Sequence, residues 1–268
     1  MASEFWNERV SNHGHTGYKD QIIYAYDQLA RLKTIESITA SLDCKREFAL
    51  DFGTGTGDFA NLLARDIQRV LAFDISEKVI GVAKRKYADT PNIRFVNGQS
   101  ITDIVTDNQM FDIILSITVL DHIMNDDELE RTIQWFQKNV FNKGYVVALE
   151  YSALSQRNPS TYKRFSTMGE WLERFSNNGF SLETLYDFYD PQESPCKSYE
   201  LYRKNLTVKC FERLNNTRFV RRFARIGFAS KHLESIARSS IAEKVDFFWK
   251  DQDSKSPYHI MIFKKIGN

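Results

Sequence analysis

The stretch that most constrains this chain is FALDFGTGTGDFA, residues 48–60. Phe48 to Phe52 reads as a short buried strand. Gly53, Gly55 and Gly57 follow, and DFANLLARDI then takes helical spacing. A strand that passes into a helix through glycines lets the backbone turn tightly and approach a ligand, because a Cβ would obstruct. The next strand, Val70 to Phe73, leads into Asp74, 74 − 57 = 17 residues after the last glycine. An acid at that strand end can accept hydrogen bonds from both hydroxyls of a ribose, and ligands of open α/β sheets bind beyond the carboxyl ends of the strands.

The rest of the chain alternates in the same way. Residues 20–41 space Ile22, Ile23, Tyr26, Leu29, Leu32, Ile35 and Ile38 as a helix face. Ser76 is a good N-cap for the helix of SEKVIGVAKRKYAD. NIRFVNG, FDIILSITVL and GYVVALEYSA read as three further strands, with the helix of DDELERTIQWFQKNV between the last two. After a loop, MGEWLERFSNNGF is a helix stopped at Asn178-Gly179, followed by the strand SLETLYDFY. The last strand is YHIMIFKKI. The pattern predicts an α/β fold: a doubly wound, mostly parallel seven-stranded sheet with helices on both faces. To it are added an N-terminal lid helix and a helical insertion before the last strand. The expected divisions are 1–44 for the lid and first helix, 45–189 for the core, 190–256 for a basic helical insertion on the acceptor side, and 257–268 for the last strand.

Composition narrows the setting. In 268 residues, Lys+Arg 36 against Asp+Glu 35 leaves a net charge of +1, so no global nucleic-acid signature exists. Cys44, Cys196 and Cys210 form no CxxC pair, and an odd count argues against a secreted disulfide framework. The start MASEFWNERV has no apolar signal core, and no apolar run is long enough to span a membrane. A reducing, cytoplasmic setting is expected, with peripheral membrane contact left open.

The glycine spacing is GxGxG, not the GxGxxG of dinucleotide sites, and no Gly-Lys-Ser/Thr follows as in a P-loop. Asp51 stands two positions before Gly53. A carboxylate there is unhelpful to a pyrophosphate and suits a ligand that carries an ammonium group. Taken in order, ALDFGTGTGDFA, LAFDIS, FVNGQSITDI and FDIILSITVLDHI resemble the successive motifs of the seven-stranded, class I S-adenosylmethionine-dependent methyltransferases. The resemblance covers residues 45–153 well. It implies S-adenosylmethionine as cofactor and S-adenosylhomocysteine as product. It also implies that Asp51 and the loop Gly53, Thr54, Gly55 and Gly57 hold the amino-acid end, that Asp74 takes the ribose hydroxyls and that Ile75 packs on adenine. Gln99, Ser100 and Ile101 would border the adenine, and Ser116 and Ile117 would lie below the methionine arm. The family often has an acid where this chain has Gln99 or Ser100; a glutamine carbonyl can take the adenine amino group instead.

Methyl transfer from a sulfonium is an in-line displacement that needs alignment and exclusion of water. A base is required when the acceptor is a hydroxyl, and a weak one suffices for an amine. His122, after the fourth strand and beside Asp121, is the candidate base; capping of the following helix is the alternative role. His13 and His15, in SNHGHTGYKDQ, lack a Cys or carboxylate partner at ligand spacing, so no metal site is expected. In the methyltransferase fold such a segment folds over the cofactor as a lid. His15 and Tyr18 would then face the sulfonium or the acceptor, with a flexible loop as the alternative.

The Asp/Asn-Pro-Pro-aromatic motif of DNA amino-methylating enzymes is replaced by SITV. The carboxylate pattern of metal-dependent catechol-type enzymes and the acidic motif of aminopropyl transferases are not matched. Between residues 201 and 231 stand nine basic residues: Arg203, Lys204, Lys209, Arg213, Arg218, Arg221, Arg222, Arg225 and Lys231. Only Glu212 opposes them. They favour an anionic acceptor or a membrane surface, unless they are a solvated helix face. The N-terminal lead resembles that of bacterial methyltransferases found with surface-polysaccharide genes. This implies O-methylation of a sugar or a phosphorylated or nucleotide-linked glycan. The alternatives are N-methylation of a small amine, an RNA acceptor, ranked last, and a non-catalytic cofactor-binding subunit.

Overall fold

The computed structural model describes residues 2–18, 21–103, 109–152, 158–188 and 258–267. The expected insertion 190–256, with its basic stretch 201–231, lies outside the described residues. The chain divides into two units. One comprises Met1–Thr16, Glu36–Phe188 and Ser256–Asn268 and carries the whole sheet. The other includes Gly17–Ile35, of which residues 17, 18 and 21–35 are described.

The helix expected over 20–41 is α2 (Gln21–Ser41), whose Asp27 and Arg31 pair at 2.7 Å one turn apart. Before it the chain forms a further helix, α1 (Ala2–His13). The sheet begins with β1 (Phe48–Phe52), α3 (Asp58–Leu63), β2 (Arg69–Asp74), α4 (Glu77–Lys86) and β3 (Ile93–Asn97). It continues with β4 (Phe111–Ile117), α5 (Asp126–Asn139), β5 (Val140–Tyr151), α6 (Met168–Asn177), β6 (Phe180–Phe188) and β7 (Tyr258–Lys265).

The strand order is β3-β2-β1-β4-β5-β7-β6. β1 to β5 pair in parallel, and β7 runs antiparallel between β5 and β6. This is the doubly wound, mostly parallel seven-stranded sheet that the alternation predicts. Connections fan out in both directions from β1 and β4, so a crevice opens between their carboxyl ends.

Local chemistry sets the element ends. Ser76 caps α4 by accepting from the Val79 N–H, as its residue type predicts. Thr167 and Glu170 form a reciprocal capping box at the start of α6, and Gly179 ends that region in the left-handed conformation (φ 75°). Asp112 accepts from the Glu47 and Phe48 N–H groups and so fixes the start of β1. Several element ends differ from the expectation: β4 stops at Ile117 and α4 at Lys86. α3 stops at Leu63 rather than continuing to Ile67. β5 begins at Val140, because Phe111 pairs with Val140 before a register shift. Gly144 allows that shift, since a Cβ there would lie 2.9 Å from the carbonyl oxygens of Phe111 and Asp112.

Alternation along the strands sends Leu50, Phe52, Ile114 and Met261 to the face covered by α5 and α6, where they share one cluster with Ile133, Phe136, Trp171 and Phe175. Asp51 lies on the other face. Phe175 stacks on Phe263 at 3.9 Å between ring centroids, and both are buried. Among the described residues no helix is long and apolar enough to cross a membrane. Phe175→Ala removes a fully buried ring from this cluster and is expected to cost about 3–5 kcal/mol, read as a lower urea midpoint at unchanged m-value.

Candidate cofactor and acceptor site

The glycine loop is folded back onto β2. Gly53 and Thr54 both donate to the Phe73 carbonyl at 2.8 Å, and the Gly55 N–H donates to Asp74 Oδ2 at 3.0 Å. Gly53, Gly55 and Gly57 have φ of 74°, 55° and 85°, a region that L side chains avoid. Space adds a second constraint at Gly53: a Cβ there would stand 2.4 Å from a methyl of Val119.

Two acids flank the loop. Asp51 is 1% exposed and takes the Thr54 hydroxyl at 2.5 Å and a backbone N–H from Ala60. Burial is the largest influence on it and raises its pKa to about 7 against those two hydrogen bonds, with Asp74 and Asp58 adding to the rise. Asp74 is buried to a similar degree. Its pKa is raised to about 6 by burial, opposed by the Ser76 and Gly55 N–H groups. Those two donors leave lone pairs of the carboxylate for further hydrogen bonds, as a ribose diol would require.

The other residues expected at the cofactor spread along this rim. Ile75 is half-buried against the core cluster, and Ile101 lies within that cluster. Gln99 is exposed, while Ser100 is half-buried and shares a hydrogen bond with Thr102. Ser116 and Ile117 end β4, both buried. Ser116 donates to Glu150 rather than projecting freely.

The N-terminal segment lies against this cradle. Asn7 of α1 accepts from the Ser76 hydroxyl at 2.7 Å and from the Lys78 N–H. Thr16, whose carbonyl accepts from Arg9 Nε, brings its hydroxyl within 3.1 Å of where a Gly55 Cβ would be. His15 beside it is 5% exposed, with its ring 6.2 Å from that of His13. Tyr18 is half-buried and belongs to the unit that starts at Gly17. Among the described residues no three His, Cys, Asp or Glu side chains group to hold a metal ion.

After β4 the chain passes through Thr118, which adopts a left-handed φ of 53°, into a 3₁₀ turn at Leu120–His122. The turn is gripped from two sides. Glu150 of β5 accepts from the Val119, Leu120 and Asp121 N–H groups. The loop after β5 supplies Arg164, whose N–H donates to the Asp121 carbonyl, and Lys163, whose ammonium lies 2.8 Å from Asp121 Oδ2. Lys163 also donates to the Tyr258 hydroxyl and sits over the ring of Tyr258 at 4.8 Å. Burial works to lower the Lys163 pKa, but Asp121 and the Tyr258 hydroxyl raise it above the usual lysine range. Glu150 is pushed well above the usual carboxylate range by burial and then by the Asp121 charge. The backbone donors oppose both, and four donors aimed at its two oxygens fit the ionised form.

His122 sits in an aromatic setting. Trp6 meets its ring edge-on at 4.9 Å, Tyr162 stacks beside it at 5.9 Å, and Phe5 stacks on Tyr162. Its Nδ1 lies 2.7 Å from the Tyr162 carbonyl and Nε2 lies 3.5 Å from Asp121 Oδ1. A carbonyl only accepts, so Nδ1 carries the hydrogen and Nε2 is the basic nitrogen. At 3.5 Å the approach of Nε2 to Asp121 is long for a hydrogen bond and becomes attractive only when Nε2 takes up a proton.

Three features of the rim escaped the sequence reading. They are the Glu150 clamp, the Asp121–Lys163–Tyr258 chain, and a trio in which His259 of β7 joins Ser152 just after β5 (2.8 Å) to Asp187 of β6 (3.1 Å). All join residues distant in sequence, so no local spacing announces them.

Residues 49–144 match the family model described as a methyltransferase domain. No curated protein sequence matches the chain. Among solved structures, the CcbJ methyltransferase from Streptomyces caelestis is 13% identical over 89% of this chain and 90% of its own, with a TM-score of 0.57. The complex of DhpI with SAH is 21% identical over 69% of this chain and 89% of its own, TM-score 0.54. An S-adenosylmethionine-dependent methyltransferase from Clostridium acetobutylicum is 13% identical over 60% of this chain and 84% of its own, TM-score 0.52. At these identities the likeness to solved structures is one of fold. The glycine cradle and its two acids fit S-adenosylmethionine, the cofactor of the fold.

A ligand ammonium held by Asp51, as the motif resemblance implies, would need the ionised form of this carboxyl. A carboxyl with a pKa of about 7 in the free chain is mostly protonated at pH 6, and affinity is present above that pKa and lost below it. Calorimetric Kd for S-adenosylhomocysteine is therefore expected to weaken roughly five- to tenfold from pH 7.5 to pH 6, and Asp51→Asn is expected to flatten that dependence.

Proposed function

We propose that this chain, a class I S-adenosylmethionine-dependent methyltransferase, methylates a hydroxyl of an anionic acceptor, a sugar or a phosphorylated or nucleotide-linked glycan. The observation that carries the reading is the setting of His122 at the carboxyl end of β4. The cofactor supplies a methyl group already activated by the sulfonium charge. An alcohol must lose its proton as it attacks, whereas an amine needs only a free lone pair. The tautomer of His122 is fixed by the Tyr162 carbonyl, which leaves Nε2 to take a proton. Asp121, 3.5 Å away and ion-paired to Lys163, stabilises the imidazolium that results.

Trp6 and Tyr162 give His122 an aromatic setting that suits the apolar face of a sugar ring. The nine basic residues between 201 and 231 support an anionic acceptor or contact with anionic lipid headgroups. The contacts of Asn7 with Ser76 and of Thr16 with the glycine loop support a lid role for residues 1–16, with His15 toward the reacting end. The cysteine usage supports a cytoplasmic setting.

The test is S-adenosylhomocysteine formation against nucleotide sugars, sugar phosphates, lipid-linked glycans, small amines and RNA. Turnover is expected with a hydroxyl-bearing anionic sugar. Turnover confined to amines moves the reading to N-methylation. No turnover with a chain that binds the cofactor moves it to a binding subunit. On the active acceptor, His122→Ala is expected to lower kcat by about 10²–10⁴-fold and to leave cofactor Kd within about threefold.

A further inference from the structure

We infer that Glu150 is a positioning residue: its carboxylate holds the turn after β4 in the conformation that seats Val119 on the glycine loop and carries His122. The inference builds on the reading of His122 as the proton acceptor, but its first half stands on geometry alone.

Glu150 is 0% exposed, and four donors converge on it. Oε1 accepts from the Ser116 hydroxyl (3.3 Å), the Val119 N–H (3.1 Å) and the Leu120 N–H (3.0 Å). Oε2 accepts from the Asp121 N–H (3.2 Å). Three consecutive backbone N–H groups pointing at one carboxylate form an anion nest, here filled from within the protein. Leu120 and Asp121 are fully buried, so without Glu150 their N–H groups would lose these acceptors away from water.

The held conformation is not one the chain adopts by default. Thr118 enters the turn with φ 53°, a left-handed value that a β-branched residue avoids, and its N–H is pinned to the Leu149 carbonyl at 2.7 Å. The next residue, Val119, places its methyls where a Cβ of Gly53 would be. Three residues on is His122, whose Nε2 faces Asp121, itself bonded to Glu150 through its N–H. The clamp therefore joins β5 to both the cofactor loop and the histidine. In Glu150→Gln an amide NH₂ has to face one of the N–H groups that now point at a carboxylate oxygen, so the nest loses an acceptor.

The experiment uses the full chain and two readouts. Amide hydrogen exchange without acceptor is expected to speed up about tenfold or more at Val119, Leu120 and Asp121 in Glu150→Gln, and less in Glu150→Asp, which keeps the charge on a shorter arm. Unchanged exchange in a folded Glu150→Gln overturns the inference whatever the turnover. Glu150→Asp serves the same comparison if the amide variant does not fold. With an active acceptor, Glu150→Gln is expected to lower kcat about tenfold or more. The acceptor KM and cofactor Kd should move little. In a His122→Ala background the same change should have no further effect on kcat. Equal loss in both backgrounds shows that Glu150 does not act through His122 and overturns that half. Full turnover of His122→Ala sinks the base reading instead, and the exchange result then decides the clamp by itself.

Discussion

The contact on which the site depends is the close approach of Gly53 to Val119. β1 and β4 lie side by side and parallel, and the chain leaves them toward opposite edges of the sheet. The crevice that results is the natural ligand site of such a sheet. Its floor is where the two departing chains meet. Residue 53 must be glycine twice over: for a φ of 74°, and because a Cβ would stand 2.4 Å from the Val119 side chain. The loop is thereby pressed onto the Phe73 carbonyl and Asp74, and the turn that follows β4 is pressed toward the loop. A larger residue at either position would separate the two halves of the crevice.

The rim is also costly in charge. Asp51, Asp74, Asp121 and Glu150 are each under 10% exposed, and buried carboxylates are unfavourable unless donors surround them. Each has such donors: Thr54 and Ala60 for Asp51, Gly55 and Ser76 for Asp74, Lys163 for Asp121, and three backbone N–H groups for Glu150. The division of labour differs among them. Glu150 has its oxygens filled by the protein and serves the fold of a turn. Asp51 has its pKa raised to about 7, so a bound cation would recover an interaction that burial denies the free chain.

Much of this was legible in the sequence. The limits of β1, the Ser76 cap, the Gly179 stop and Asp74 at the end of β2 follow from local chemistry: strand length, capping hydroxyls, left-handed glycine and strand alternation. The T-x-x-E of the α6 capping box was readable too, at Thr167 and Glu170. What was not readable is non-local or weakly patterned. α1 is mostly polar and offers little apolar periodicity, so only its tertiary contacts reveal it. β5 extends back to Val140 because β4 supplies a partner there, against the turn-like look of its own NKG. The Glu150 clamp spans residues 116 to 150 and depends on the register of β4 with β5.

α1 adds a geometric condition of its own. Phe5, Trp6 and Asn7 are consecutive, and successive residues on a helix point about 100° apart, so three neighbours can address different surfaces. Phe5 and Trp6 meet Tyr162 and His122 beyond the ends of β5 and β4, while Asn7 meets Ser76 and Lys78 beyond the end of β2. A single turn of α1 thus ties the Asp74 end of the crevice to the end where His122 stands. Displacing that turn breaks an aromatic contact and a pair of hydrogen bonds together, so α1 cannot leave one end of the crevice while staying fully seated on the other.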